Sequence, residues 1–214
     1  MGPAPLSVPG YRARLSAWPP RSYGGWMDTE QAALAERYRR VAGHFSRVVE
    51  ATAEDDWDSP APCEGWTARD VVRHLVEWVP ALLAEAAGVE FAVGPPVDRD
   101  PAGAWRSLSD TLQATLDDPA SGSRPFSHPQ AGEHTLPVAI DMFVTGDVLV
   151  HTWDLARATK GDDRLDPDEV HRLLAGMEPL DDALRASGHY GPRVQVPEHA
   201  DELTRLIAFT GRRP

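Results

Sequence analysis

A single cysteine, Cys63, excludes both an internal disulfide and an all-cysteine zinc site, so any bound metal has to be held mainly by histidine and carboxylate. Long apolar runs are missing too. No stretch of 18 apolar residues occurs, and no basic segment followed by an apolar run and a small-residue cleavage site opens the chain, so the expectation is a cytoplasmic protein with no membrane contact. Positive charge is in deficit, with a formal net charge of −12. Nucleic-acid affinity depends on Lys and Arg displacing counterions, so nucleic acid is not an expected partner. There is no glycine-rich phosphate loop and no nucleophile elbow, which leaves nucleotide use and serine hydrolysis without support.

What is present is enough for one core: 42% of residues are apolar and 25% charged, ordinary values for a single compact domain. Residues 1–26 stand apart, with Pro3, Pro5, Pro9, Pro19 and Pro20, Arg12, Arg14 and Arg21, no acid and no periodicity. They read as a disordered tail. Met27 directly precedes the first helix signal and is a candidate true start, which makes 27–214 the domain.

Helical periodicity then dominates, predicting an all-α fold. Helix one starts near Asp28 or Thr29 and runs to about Ala53 with a stripe of Leu34, Tyr38, Val41, Phe45 and Val48. A turn-rich loop follows from Asp58 to Trp66. Thr67, with Asp70 three residues on, forms a capping-box signature for helix two, whose inner face is expected to carry Val71, His74, Trp78, Ala81 and Leu82; Pro80 predicts a kink. Helix three shows Trp105, Leu108, Leu112 and Leu116. Residues 119–136 read as loop, and Pro137 fits the first turn of a long fourth helix ending before Gly161. Four helices with such loops predict a bundle. Beyond it come a helix from Asp166 to about Ala186, a short extended segment from Tyr190 to Pro197, and a last helix from about Ala200 to Thr210.

On helix four, Ile140, Val144, Asp147, His151, Asp154 and Ala158 share one stripe, which puts a carboxylate and an imidazole on the core-facing side. Burying Asp147 calls for a cation, a donor or a metal beside it. His74 on helix two interrupts an apolar face in the same way. Together, His74, Asp147 and His151 offer nitrogen and oxygen donors suited to Zn²⁺, with Ni²⁺ or Fe²⁺ accepted by the same set, and three protein ligands leave a position open. Plainer readings exist for each. A lone histidine on an apolar face often serves as a hydrogen-bonded core residue, and an Asp and His four apart can form a local pair worth about 0.2–0.5 kcal/mol. Asp154 is a candidate to orient His151 or a nearby Arg, and Trp153 is expected to pack away from the ligand stripe. Cys63 near a helix start could be reactive, though an inert buried thiol is favoured. His44 could approach the site, while His128, His134, His171, His189 and His199 lack ligand spacing. Tyr190 and Arg193 are candidates to cover the pocket.

Two segments, Pro62-Cys63-Glu64-Gly65-Trp66-Thr67-Ala68-Arg69-Asp70-Val71-Val72-Arg73-His74-Leu75 and Asp147-Val148-Leu149-Val150-His151-Thr152-Trp153-Asp154-Leu155-Ala156-Arg157-Ala158-Thr159, resemble the two signatures of an actinobacterial DinB/YfiT-like metal-binding family related to the N-terminal domain of mycothiol-dependent maleylpyruvate isomerase. The Tyr190–Pro197 segment followed by Arg205-Leu206-Ile207-Ala208-Phe209 is similar to that family's ending. The resemblance implies a four-helix bundle with a C-terminal extension, and His74, Asp147 and His151 in place of the His, Glu and His that hold zinc in the isomerase. Asp147 is one methylene shorter, which calls for a closer helix or a bridging water. It also implies a low-molecular-weight thiol such as mycothiol as cofactor, a small electrophile as substrate, and isomerase or thiol-transferase chemistry in a monomer or homodimer. The alternative is a non-catalytic module, a sensor or stress protein binding a metal or small ligand. A zinc-containing regulator gripping another protein would want cysteine ligands, which argues against it.

Overall fold

A computed structural model describes residues 24–186 and 191–214. Residues 1–23, most of the expected tail, and residues 187–190, which include His189 and Tyr190, lie outside that description. Helix α1 spans Gly24–Ala51, starting four residues before Asp28. Helix α2 is Ala68–Ala87 and α3 is Pro101–Asp117. A hairpin of β1, Pro125–His128, and β2, Gly132–Thr135, precedes a helical rod made of α4, Leu136–Ala139, a π-helical stretch Ile140–Thr145, and α5, Gly146–Ala158. The C-terminal part adds α6 at Pro167–Met177, α7 at Asp181–Ala186 and α8 at Glu202–Phe209. The fold is mainly helical, as the periodicity and the resemblance both imply.

Packing runs from α1 to α3, from α3 to α2, from α2 to α5 and back to α1, which closes a four-helix bundle with α1 and α2 on opposite corners. Its interior is filled by Tyr38, Phe45, Leu75, Leu112 and Leu149, each at most 1% exposed. Local signals start the helices where expected. Thr67 and Asp70 complete a reciprocal capping box on α2, and the Asp100 carboxylate accepts from the Gly103 N–H ahead of α3. Helix α5 is buried on nearly every side, which explains its weak amphipathicity; α1, α2 and, through Gly146, α6 all close on it. A Cβ at Gly146 would come within 3.0 Å of Leu173 Cδ1.

Four expectations are corrected. The expected stripe on α2 is off in phase: the core row is Val71, Val72, Leu75, Val79 and Leu83, whereas His74, Trp78 and Leu82 lie on its shoulder and Ala81 is exposed. Both rows have helical spacing, and the wholly aliphatic one wins because burying imidazole and indole nitrogens costs more. The 119–136 segment is not all loop, since Phe126 pairs with His134 in the hairpin and buries its ring against α2 and the rod. The helix expected from Asp166 to Ala186 is broken at Glu178–Leu180 by a 3-10 turn carrying Pro179. The fourth helix contains the π-helical stretch, held by a buried ion cluster in which Arg37 reaches Glu169 at 2.6 Å and Asp141 at 2.5 Å. No strand forms in the described part of the 190–197 segment, which is extended loop.

Candidate metal centre

α2 and α5 face each other, and their contact line brings His74 and Asp147 together from 73 residues apart in sequence. Four-residue spacing puts His151 one turn beyond Asp147 on the same side of α5. His74 Nε2 lies 3.2 Å from Asp147 Oδ2, and His151 Nε2 lies 3.5 Å from Asp147 Oδ1. One donor atom from each of the three falls within 4.8 Å of the others. Tetrahedral ligands at about 2.0–2.1 Å from zinc stand roughly 3.3–3.4 Å apart, so the two spacings to Asp147 are close to those that ligands of a shared divalent cation keep. The shorter side chain of Asp147 thus reaches both imidazoles directly.

Exposure is graded across the site. His151 is 3% exposed, whereas the side chains of His74 and Asp147 are 31% and 24% exposed, so the group opens to solvent on the α2 side. Trp66, at the end of the loop before α2, stacks on His151 with ring centroids 5.9 Å apart and tilts against His74 at 5.1 Å. The Trp78 indole N–H donates to Asp147 Oδ2 at 3.1 Å.

Behind His151 lies a second, deeper group. Asp154, fully buried, takes His151 Nδ1 at 2.8 Å on Oδ2 and a forked contact from Arg212, whose Nε and Nη2 lie 2.7–2.9 Å from its oxygens. Burial pushes the Asp154 carboxyl up, but His151 and Arg212 outweigh it and hold it at about 2. An ionised carboxylate only accepts, so Nδ1 of His151 donates to Asp154, and Nε2 is the ring nitrogen that faces Asp147 Oδ1. A ring nitrogen and a carboxylate oxygen 3.5 Å apart are held there by a positive charge, either a proton on Nε2 or a metal ion. Asp147 is likewise pushed up by burial and pulled lower, in net, by His151 and His74.

Cys63 Sγ lies 3.5 Å from Asp154 Oδ2 and 3.4 Å from Arg212 Nη2. Cys63, His151 and Asp154 also have metal-ligand spacing. A guanidinium already fills that position, though, and burial together with the Asp154 charge drives the thiol up to about 12. The deeper group is therefore an ion pair with a protonated thiol beside it, in keeping with the inert reading of Cys63.

His44 has its value lowered by burial and shares no contact with this group, and His128, His134 and His171 belong to the hairpin and to a surface pair with Glu202. Trp153 is buried away from the ligands under the Arg157 guanidinium. Arg193 stacks over Phe209 and pairs with Asp181 rather than covering the centre. Sequence reasoning does not single out Arg212. The buried Asp154, which needed a cation, was the signal that could have found it. Gly211, at φ 88°, turns the chain after α8 so that Arg212 enters the bundle.

Two uncharacterized proteins from two strains of Mycobacterium tuberculosis are each 29% identical to this chain over 178 residues, which span 82% of it and 95% of each relative. No solved structure matches the chain. Residues 38–156, from α1 through the last turns of α5, match the family described by the mycothiol maleylpyruvate isomerase N-terminal domain, and they contain all three candidate ligands. With more than half of its length matched, the chain belongs to the mycothiol maleylpyruvate isomerase N-terminal domain family.

Proposed function

We propose that this protein is a divalent-metal enzyme of thiol chemistry, an isomerase or thiol transferase acting on a small electrophile, with His74, Asp147 and His151 holding Zn²⁺. The observation that carries this reading is the convergence of His151 Nε2 on Asp147 Oδ1 at 3.5 Å with His74 Nε2 on Asp147 Oδ2 at 3.2 Å from the opposite helix. A bound ion would lower the pKa of a low-molecular-weight thiol such as mycothiol and present it as a thiolate.

The chain's own residues do the rest. Asp154 fixes His151 in the tautomer that frees Nε2, Arg212 neutralises Asp154, and Trp66 covers the buried imidazole from water. The half-exposed side chains of His74 and Asp147 leave the centre approachable from one side, which supports a reactive site over a closed structural one. The same opening is the ground on which a non-catalytic metal or ligand sensor stands as the second reading. No helix among the described residues is long and apolar enough to cross a membrane.

The test is elemental analysis of protein purified without an affinity tag, beside a His74→Ala/His151→Ala double variant. Near-stoichiometric divalent metal is expected in the first and little in the second; equal metal content defeats the reading. Metal-loaded protein that converts a small electrophile only when a low-molecular-weight thiol is present, releasing the thiol as an isomerase or consuming it as a transferase, separates the enzyme from the sensor.

A further inference from the structure

One polar side chain in the centre is neither a candidate ligand nor part of the buried ion pair. Trp78 stands one turn after His74 on α2, with ring centroids 5.8 Å apart, and its indole N–H reaches Asp147 Oδ2 at 3.1 Å. We propose that Trp78 is a positioning residue that holds the Asp147 carboxylate for metal binding. This rests on the reading of His74, Asp147 and His151 as the metal ligands.

Asp147 has two kinds of neighbour. His74 Nε2 and His151 Nε2 contact its oxygens at 3.2 and 3.5 Å, but an imidazole nitrogen that turns its lone pair to a cation has no proton left to donate. The His74 hydrogen bond and the His151 ion pair therefore both give way when an ion arrives. Indole differs in kind. Its N–H is a donor only, it does not titrate in the working range, and it is no metal ligand. The Trp78 contact survives loading and keeps Oδ2 anchored to α2 while Oδ1 stays aimed toward His151. The carboxylate is then oriented in advance by the same helix that carries His74, and little rotamer freedom is lost when the ion binds.

The experiment compares zinc affinity, by competition with a chromogenic chelator, in full-length wild type, Trp78→Phe and Trp105→Phe. Trp105 is the matched control: its indole donates to Ser46 Oγ at 2.8 Å in the core, far from the centre, so its loss weakens the fold without touching the ligands. Trp78→Phe is expected to bind zinc about 10–100-fold more weakly, as loss of an outer-shell partner does, while Trp105→Phe binds as wild type does. Thermal unfolding of the metal-free proteins shows that both variants fold. A Trp78→Phe affinity within twofold of wild type overturns the proposal. Wild type that binds no zinc overturns instead the assignment of the ligands on which it rests. A second measurement follows the indole N–H resonances of the seven tryptophans: the signal missing from the Trp78→Phe spectrum is expected to shift strongly with zinc and to stay protected from solvent exchange. Zinc binding that moves no indole signal also overturns the role of Trp78.

Discussion

Two groups of donors share His151, one on each of its ring nitrogens. On the Nε2 side, Asp147 and His74 form a partly exposed group into which no Lys or Arg among the described residues reaches; on the Nδ1 side, the buried Asp154 and the partly buried Cys63 form a deeper group with Arg212 in its middle. Both have metal-ligand spacing. What separates them is charge. The deep carboxylate is satisfied by a guanidinium that forks onto both oxygens, whereas the outer one faces imidazoles whose protons are exchangeable for an ion. Donor spacing alone does not define a metal site; it takes donors whose positive partner can leave.

The largest effect that would break this contrast is on the deep side. Arg212→Ala leaves Asp154 ionised and buried with too few partners, and chemical denaturation should show a loss of about 3–5 kcal/mol. A change below about 1 kcal/mol, the range of exposed pairs, would mean that the inner group is no true buried ion pair.

Next comes the thiol. With Cys63 held near 12, its alkylation by iodoacetamide at pH 8 should run on the order of a thousandfold slower in the folded protein than in urea, where an ordinary thiol is exposed. Equal rates would move Cys63 into the reactive class and erase the difference between the two sides of His151.

Asp154→Asn probes the link between the groups. The amide still accepts from Nδ1 but no longer fixes the ring as firmly, so zinc affinity should fall about 10–100-fold in chelator competition. Unchanged affinity would make the inner group purely structural.

The smallest effect concerns the cap that aims α2. Thr67→Ala should lower unfolding free energy by about 1 kcal/mol with zinc stoichiometry intact. Burial raises the Asp70 carboxyl, yet the Thr67 N–H and hydroxyl and Arg73 bring it below its ordinary value. The sign follows: this stabilisation is complete above the unfolded carboxylate's value and is lost as pH falls through the lower folded one. The Thr67 hydroxyl also accepts from the Asp70 backbone N–H, which does not titrate, so an acid titration of wild type against Thr67→Ala should narrow the gap without closing it; a gap that does not narrow at all would exclude the Asp70 carboxylate as a contributor.

Much of this was legible from residues alone. Tyr38, Val41 and Phe45, then Leu108, Leu112 and Leu116, name their core faces by spacing, and Thr67 with Asp70 fixes where α2 begins. Asp147 and His151 are tied by one helical turn, so their proximity is local geometry. The hairpin escaped because Gly132-Glu133-His134-Thr135 has no apolar alternation, and only its partner Phe126 gives it an anchor. The phase of α2 escaped because two rows with helical spacing overlap, and the choice between them depends on what α3 and α5 offer to pack against.

The sequence by itself determined the helices, their caps, the scarcity of thiols and the pairing of a carboxylate with an imidazole on one face, since these depend on neighbours three or four residues away. Only the tertiary structure decided that His74 meets Asp147 across 73 residues, that Trp78 donates to the same oxygen, and that Arg212 returns from the end of the chain to neutralise Asp154. Electrostatic partnership acts through space, and a periodic pattern carries no information about which distant charge will fill a buried position.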